Sequence, residues 1–226
     1  MTGSSFPWRA QASRTQERGI ATETNAESSV AVTVPAEIRT PRFVLRPWRA
    51  SDAPMLHPLL VENWEHLSPW IPRRVADPAT IAEVEARLES FAADFASDLK
   101  WRYGMFAHDE RTVFGEVDLF PRDATGRVVY GAADRAEIGY WLRKDMTGQG
   151  LVTEGVERIM GVAPGLARIG RLEIRCDAEN LASSAIPKRL GFSLEQTLER
   201  APTPGEVGSK LQIWILEHRV FGDLSG

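Results

Sequence analysis

Cysteine and histidine are scarce in this sequence of 226 residues. Cys176 is the only cysteine, which leaves no partner for an intrachain disulfide and no basis for a cysteine-rich metal site. The four histidines are scattered, without the His-x-x-x-His or His-Glu-x-x-His spacing of a zinc site, so we predict no metal. Because Cys176 ends an alternating apolar run, the pattern indicates a buried strand thiol rather than a nucleophile.

Long apolar runs and a strong charge bias are missing as well. No run of 18 apolar residues occurs, and the N-terminus lacks the basic segment and apolar core of a secretory signal, so we expect a cytoplasmic protein. Twenty-seven Lys and Arg against thirty-one Asp and Glu give a net charge of −4. This balance gives no general attraction to nucleic acid or to an acidic membrane surface, and we expect neither partner.

Composition and length predict one folded domain preceded by a tail. A chain that is 43% hydrophobic and 26% charged is ordinary for a soluble globular protein of this length. Residues 1–34 are rich in Ser, Thr, Glu, Gln and Ala, which predicts a flexible N-terminal tail, although Phe6 and Trp8 leave open that it docks on the body or on another subunit. We expect residues 35–226 to form a single domain.

The hydrophobic periods predict a mixed α/β domain. Helices are expected after the N-cap candidates Ser51 and Asp52, over 81–99, after Gly150 and over 181–190, with a loop over 64–72. Strands are expected over 42–48, 101–107, 113–120, 136–142, 171–176, 192–199 and 210–217.

A Gly-x-Gly turn between a strand and a helix is the most informative local pattern. Gly148 and Gly150 precede apolar residues at helical spacing, so they lie at a helix N-terminus, where unpaired N–H groups favour an anion. A tight turn without a ligand is the alternative. The turn is not a P-loop, because Leu151 and Val152 replace Lys-Ser/Thr, and Thr153 replaces the glycine of a dinucleotide fingerprint.

Several motifs together resemble the GNAT N-acetyltransferases. They are Glu-Ile-Gly-Tyr-Trp-Leu over 137–142, Gly-Gln-Gly over 148–150, Asn-x-x-Ser over 180–183 and Leu-Gly-Phe over 190–192. The opening segment 40–52 is similar to the RimJ/RimL-like branch, whose known members include ribosomal-protein N-terminal acetyltransferases. The resemblance covers about residues 38–218. It implies a mixed, mostly antiparallel sheet of about six or seven strands, flanked by helices and splayed at an acetyl-CoA cleft.

The resemblance also assigns the residues that bind acetyl-CoA, the co-substrate. It implies that Asn180 hydrogen-bonds the pantetheine arm or a neighbouring carbonyl, that the backbone of Trp141 and Leu142 lies beside that arm, and that the pyrophosphate is surrounded by Thr147, Gly148, Gln149, Gly150, Leu151 and Val152. Two positions depart from the family pattern, because Thr147 stands where Gln or Arg is usual and Val152 where Gly or Ala is usual. The lost basic side chain has four possible replacements, each of which is equally an ordinary surface residue: Arg143, Lys144, Lys188 and Arg189.

Acetyl transfer from a thioester to an amine requires a neutral nucleophile, a donor for the oxyanion and a proton for the departing thiolate. By resemblance, Ser183 donates to the coenzyme sulfur, while its position and that of Asn180 equally suit a helix cap. Pro202 occupies the position of the branch's candidate glutamate. We favour Glu137 as the proton acceptor, because its strand leads to the cofactor turn; a structural salt bridge is the rival, and other acceptors remain open: Glu116, Glu199, Glu206 or water.

The expected activity is acetyl-CoA-dependent acetylation of a primary amine, with a protein or peptide N-terminal amine as the first choice. A small-molecule amine such as an antibiotic or polyamine is the rival acceptor, and a non-catalytic CoA-binding interaction module is the rival class. Aromatic residues either line the acceptor entrance or belong to the core: Trp64, Trp70, Trp101 and Tyr103. Acidic Glu62, Glu65 and Asp118 would favour a cationic amine. A homodimer is compatible with the family.

Overall fold

A computed structural model describes residues 34–199 and 210–217, and these residues build one mixed sheet. The sheet has the spatial order β1-β2-β3-β4-β5-β6-β8-β7, and every neighbouring pair is antiparallel except β5 and β6. The strands are β1 Ile38–Arg39, β2 Val44–Pro47, β3 Trp101–Phe106, β4 Val113–Arg122, β5 Arg135–Leu142, β6 Arg171–Asp177, β7 Ser193–Glu199 and β8 Lys210–Glu217. The predicted mixed, mostly antiparallel sheet is confirmed.

The sheet has eight strands within these residues, against the six or seven that were expected. The additional strand is β1, which pairs with Val44 and Leu45 of β2. Two residues are too few to show the apolar alternation by which a strand is found in a sequence. The predicted tail, residues 1–34, lies outside the described residues except for Val34, and its flexibility stays a prediction.

Strands β5 and β6 separate part of the way along their length. They pair at Ala136, Glu137 and Ile138, which lie opposite residues 172–174. Beyond Ile138, β5 continues to pair with β4 as far as Leu142, and β6 continues to pair with β8. The backbone edges of the two strands therefore diverge, and the predicted splay is confirmed.

Six α-helices flank the sheet in the described part of the chain: α1 Ala53–Glu62, α2 Trp64–Leu67, α3 Arg73–Ala76, α4 Ile81–Ala96, α5 Leu151–Met160 and α6 Leu181–Arg189. Trp64 was expected in the first helix and begins the single turn α2 instead. The segment expected to be a loop therefore contains α2. Leu99 was expected in α4, but that helix ends at Ala96, and Asp98 adopts a positive φ of 53°.

The helix caps differ from those the sequence suggested. Asp52 is the N-cap residue of α1, but its carboxylate accepts from Arg46 at 2.8 Å and from the Arg49 N–H at 2.8 Å, so it forms a buried ion pair instead of a side-chain cap. Helix α4 begins with a reciprocal cap between Thr80 and Glu83. The Asp52–Arg46 pair ties the beginning of α1 to β2, whereas the Thr80–Glu83 cap is local to α4.

Each face of the sheet is covered by a different helical layer. Helix α5 packs over the middle strands, where Gly155 permits close approach, since a Cβ there would lie 3.0 Å from Val117 Cγ2. Helices α1 and α4 cover the other face through apolar side chains that include Leu60 and Leu88. Within residues 34–199 and 210–217, no helix is long and apolar enough to cross a membrane.

Candidate active site

A cavity of about 1150 Å³ lies where β5 and β6 separate. It is bounded by the ends of these strands, by the beginnings of α5 and α6, and by the segment 66–72. All but one of the predicted cofactor-binding residues line it: Trp141, Leu142, Thr147, Gly148, Gly150, Leu151, Val152, Asn180 and Ser183. The exception is Gln149, whose side chain folds back to the Asp145 carbonyl at 3.3 Å. The structure thus brings two distant sequence motifs to one opening.

The glycine turn has the conformation that its sequence indicated. Gly148 and Gly150 have φ values of 75° and 76°, a left-handed conformation that strains other residues, and Gly150 is the N-cap residue of α5. A Cβ on Gly148 would meet no atom within 4 Å, so this position opens onto free space. The first turn of α5 presents backbone N–H groups without intrahelical acceptors beside the cavity, which is the geometry of an anion cradle.

Arg42 is a cavity residue that the sequence analysis missed. Its guanidinium donates to the Gln149 carbonyl at 2.7 Å and to Glu154 at 2.6 Å, and it lines the cavity. This cation lies beside the turn in which Thr147 replaces the usual basic residue; the Thr147 hydroxyl donates to the Lys144 carbonyl at 2.7 Å. No local pattern signals a contact across 107 residues of sequence.

Of the four basic residues considered as replacements, Arg189 alone lines the cavity. It donates to the Thr153 hydroxyl at 2.8 Å. Arg143 pairs with Asp145 at 2.6 Å, and Lys188 lies over the Trp214 ring. Arg158, which was not considered, also lines the cavity. With Arg42 and Arg175, the arginines that line the cavity therefore come from four parts of the chain.

The Asn-x-x-Ser motif begins α6, and its two polar residues differ in their contacts: one caps the helix and the other does not. Asn180 is the N-cap residue, and its side-chain oxygen accepts from the Ser183 N–H at 3.0 Å, so the cap interpretation is correct for Asn180. The Ser183 hydroxyl donates instead to the Tyr140 hydroxyl at 3.2 Å. Ser183 is thus available to the cavity rather than consumed by the cap.

Tyr140 joins the two sides of the splay. Its hydroxyl donates to the Ser183 carbonyl at 3.0 Å and accepts from the Ser183 hydroxyl. Burial raises the pKa of Tyr140 more than the Ser183 hydrogen bond lowers it. Tyr140 was expected only as part of a family motif, because nothing in the sequence signals this contact.

Cys176 lies at the end of β6 and lines the same cavity. Its side chain is buried, and burial raises the pKa of the thiol more than the nearby Ser183 hydroxyl lowers it. The prediction of a buried strand thiol is confirmed.

Glu137, the favoured proton acceptor, has an environment that the sequence did not indicate. One carboxylate oxygen accepts from Arg122 and the other accepts from Arg127 at 2.6 Å. Glu137 is buried beside Glu173, which is fully buried among several arginines, and it does not line the cavity. These contacts match the salt-bridge interpretation, and the role of Glu137 as proton acceptor stays a prediction.

Two of the other candidate acceptors, Glu116 and Glu199, also have partners. Glu116 accepts from Trp48 Nε1 at 2.6 Å and from Arg102 at 2.7 Å, and is buried. Glu199 is on the exposed edge strand β7 and pairs with Lys210 at 3.5 Å. Glu206 lies outside the described residues, as does Pro202.

Asp118 is a buried acid on β4, close in register to the point where β5 leaves β6. It lies opposite Gly139 on β5, and one of its oxygens accepts from Arg102 at 3.1 Å while the other has no partner in the described part of the chain. Burial and the charge of Glu116 raise the pKa of Asp118 well above its ordinary value, against the opposing effect of Arg102.

One wall of the cavity is formed by the end of α2 and the segment between α2 and α3. His66, Trp70 and Ile71 line the cavity there, together with Leu67, Pro69 and Pro72. Trp70 therefore lines the cavity, and its place at the acceptor entrance stays a prediction. Trp101 and Tyr103 are at most 1% exposed and belong to the core, while Trp64 stacks with Arg73. Of the aromatic set weighed for the entrance, Trp70 alone lines the cavity.

Comparison with known proteins identifies the class. The family model described as an acetyltransferase (GNAT) domain matches residues 42–193. The probable N-acetyltransferase YjcK of Bacillus subtilis is 26% identical over 151 residues, which are 67% of this chain and 80% of that protein.

Two solved structures have the same fold. The Microcin C7 self-immunity acetyltransferase MccE, in complex with acetyl-CoA and AMP, has a TM-score of 0.69 at 21% identity and covers 82% of this chain and 98% of its own. RimL, a ribosomal L7/L12 alpha-N-protein acetyltransferase in complex with coenzyme A, has a TM-score of 0.67 at 21% identity and covers 81% of this chain and 97% of its own.

The chain belongs to the GNAT acetyltransferase family. It is an acyltransferase that uses acetyl-CoA as its acetyl donor, and its predicted fold and family are confirmed. Among the described residues, no group of three or more His, Cys, Asp and Glu side chains is arranged to hold a metal ion.

Proposed function

We propose that this enzyme acetylates a protein or peptide N-terminal amine. The observation that carries the proposal is the single cavity that joins the glycine turn and Ser183 on one side to the wall around Trp70 on the other. One continuous cavity can therefore hold the acetyl donor at the glycine turn and Ser183 and the amine acceptor beside Trp70. The likeness of the fold to a ribosomal-protein N-terminal acetyltransferase supports a protein acceptor, and a ribosomal acceptor would mean a cytoplasmic enzyme.

The proposed donor site uses main-chain groups more than side chains. Beyond Ile138, the edge of β5 facing β6 is free of strand pairing, so Trp141 and Leu142 can pair with the amides of the pantetheine arm as an added strand would. The pyrophosphate then lies against the turn over residues 147–152, where the N–H groups of α5 point toward an anion. Asn180 fixes the start of α6 beside the arm.

The proposed chemistry is direct transfer. The neutral amine attacks the thioester carbonyl, the C–S bond breaks, and the Ser183 hydroxyl donates a hydrogen bond to the sulfur as negative charge develops on it. The proton lost by the amine passes to water or to a carboxylate. Glu137 stays a prediction in that role, and its ion pairs with Arg122 and Arg127 argue against it.

Calorimetric titration with acetyl-CoA, with coenzyme A and ATP as comparators, tests the donor site first. We expect saturable binding of acetyl-CoA and coenzyme A, and much weaker binding of ATP, which lacks the pantetheine arm. Failure of acetyl-CoA to bind would contradict the proposed donor site and favour an interaction module.

An acceptor panel then tests the substrate class. Short peptides with a free N-terminus are compared with the same peptides blocked at the N-terminus but carrying a free lysine, and with polyamines and aminoglycosides. We expect acetylation of the unblocked peptides alone. Acetylation of a polyamine or aminoglycoside without peptide turnover would assign a small-molecule acceptor instead, and acetylation of the blocked peptides would assign a lysine acceptor.

A further inference from the structure

We propose that Tyr140 is a positioning residue for the departing thiolate: it holds Ser183 in place and, with acetyl-CoA bound, donates its hydrogen bond to the Ser183 hydroxyl, which in turn donates to the coenzyme sulfur. This inference rests on the proposed function, because it concerns the same acetyl transfer.

The contacts of Tyr140 span the opening in which the thioester would lie. Tyr140 extends from β5 and Ser183 belongs to the first turn of α6, on opposite sides of the splay, and both line the cavity. The Tyr140 oxygen is 3.0 Å from the Ser183 carbonyl oxygen and 3.2 Å from Oγ. Two contacts to one residue hold Ser183 more firmly than the Asn180 cap alone.

The hydrogen bonds can be redistributed without moving any heavy atom. A hydroxyl has one proton and two acceptor lone pairs, and its hydrogen rotates about the C–O bond. In the structure, Tyr140 donates to the Ser183 carbonyl and Ser183 donates to Tyr140. If the Tyr140 hydrogen turns toward Oγ, the Ser183 hydrogen is released and can point at the sulfur.

The Tyr140 hydroxyl contacts Ser183, which indicates a positioning role, and its raised pKa agrees with that role. Burial raises its pKa above the ordinary value of about 10, whereas an ordinary thiol has a pKa of about 8.5. Transfer of the phenolic proton to a thiolate would therefore be uphill. Tyr140 keeps its proton, and its hydrogen bond polarises the Ser183 hydroxyl, which makes that hydroxyl a stronger donor to a charged acceptor.

Atoms and electrons balance in the step. The amine nitrogen forms the C–N bond, the C–S bond breaks with its electron pair on sulfur, and the proton that the amine loses equals the proton that the thiol finally carries. Ser183 and Tyr140 stabilise the negative sulfur through hydrogen bonds and are unchanged afterwards.

A double-mutant cycle with Tyr140→Phe and Ser183→Ala tests the inference. Phenylalanine keeps the ring and removes the hydroxyl. We expect kcat to fall about tenfold in Tyr140→Phe, with KM and Kd for acetyl-CoA within twofold of the parent, because one hydrogen bond in the transition state is lost. In the Ser183→Ala background, Tyr140→Phe should cause no further loss, because Tyr140 acts through Ser183.

Tyr103→Phe is the matched control. Tyr103 is also a strand tyrosine whose hydroxyl donates to a backbone carbonyl, that of Pro35 at 2.8 Å, but it is fully buried, whereas Tyr140 is partly buried, and it does not line the cavity. We expect its variant to match Tyr140→Phe in thermal stability and the parent in kcat. A fluorinated tyrosine placed at position 140 keeps the hydroxyl and should retain kcat within twofold, even if the phenylalanine variant folds poorly.

The outcomes separate this inference from the proposed function. A parent protein that acetylates no amine would overturn both. If the parent is active, any of three results would overturn the role of Tyr140 alone. Tyr140→Phe could have the same kcat as Tyr103→Phe, or its loss of kcat could add fully to that of Ser183→Ala. The third such result is a change in the KM for acetyl-CoA in place of a change in kcat. Low activity of the fluorinated tyrosine would also overturn it.

Discussion

The Arg42 guanidinium and the Gln149 carbonyl are joined by a hydrogen bond of 2.7 Å, although 107 residues separate them in the sequence. Arg42 also donates to Glu154 at 2.6 Å, in the first turn of α5. One side chain from the segment before β2 therefore binds both the glycine turn and the helix that follows it. Arg42 lies outside the glycine motif, holds the proposed anion cradle through these hydrogen bonds, and adds positive charge next to it.

Replacement of Arg42 by alanine should weaken acetyl-CoA binding. Both hydrogen bonds to the turn are lost together with the charge, and because the side chain is 43% exposed we expect a loss of about 1 kcal/mol, or about fivefold in Kd. Calorimetry measures it. Arg39→Ala is the control, since Arg39 pairs with Glu37 on the surface and does not line the cavity. Equal affinities of the two variants would contradict the role of Arg42.

Gly148→Glu should abolish acetyl-CoA binding while the protein stays folded. A side chain at position 148 has space, since no atom lies within 4 Å of its Cβ, but it places a carboxylate where we propose that the pyrophosphate binds. The positive φ of 75° adds backbone strain of about 1 kcal/mol. We expect no measurable heat of binding in a titration with acetyl-CoA, and a small fall in Tm.

Gly191→Glu separates that charge effect from the strain. Gly191 has a φ of 80°, its Cβ would also meet no atom within 4 Å, and it does not line the cavity. This variant should lose a similar amount of stability and keep its affinity for acetyl-CoA. If both variants bind as the parent does, the pyrophosphate is not at residues 147–152.

The parts of the site that could be predicted are those set by local sequence. The left-handed turn at Gly148 and Gly150 and the cap by Asn180 depend on a few neighbouring residues, so the motif and the conformation coincide. The splay was predicted through family resemblance, because pairing between β5 and β6 depends on residues more than thirty positions apart.

The parts that could not be predicted depend on pairing between distant segments. Glu137 faces Arg122 and Arg127 because of the β4–β5 register and the turn before β5, which no local pattern fixes. The contacts of Arg42 and Tyr140 are likewise determined by which elements become neighbours. A sequence shows that an acid lies near a cofactor turn, but only the fold shows whether that acid is already paired with arginines.

Glu137→Gln should cost stability rather than catalysis. Loss of the carboxylate leaves Arg122, which is buried, without its nearest counter-charge, and we expect a loss of about 3 kcal/mol in the free energy of unfolding. Per folded molecule, kcat should stay within threefold of the parent. Urea denaturation and steady-state kinetics measure the two quantities.

Glu195→Gln is the control for that variant. Glu195 pairs with Arg171 at a half-exposed position, so its variant should change stability by less than about 1 kcal/mol. A fall in kcat of more than a hundredfold in Glu137→Gln, with stability unchanged, would show instead that Glu137 is the proton acceptor.

Asp118→Asn should be more stable than the parent at neutral pH, and this advantage should shrink as the pH falls. Burial and the charge of Glu116 raise the pKa of Asp118 in the folded state, so the folded protein holds this proton more tightly than the unfolded chain does. The stability contributed by the protonated acid is complete below the ordinary pKa of about 3.9 and is lost as pH rises through the raised folded value. Asparagine cannot ionise and escapes this loss, and Arg102 keeps its partner Glu116.

Asp123→Asn should show the opposite pH dependence and makes the sign of the Asp118 effect testable. Hydrogen bonds from Thr125 and Gly126 lower the pKa of the exposed Asp123, so its contribution is present above the ordinary pKa and is lost as pH falls through the lowered value. Urea titrations at pH 3.5, 5.5 and 7.5 measure the free energy of unfolding. The stability advantage of Asp118→Asn over the parent should grow with pH. Asp123→Asn should be less stable than the parent at neutral pH and approach the parent's stability in acid. If Asp118→Asn differed from the parent by the same amount at every pH, the pKa of Asp118 would be the same in the folded and the unfolded protein, and its burial beside Arg102 and Glu116 would be a matter of packing and hydrogen bonding alone.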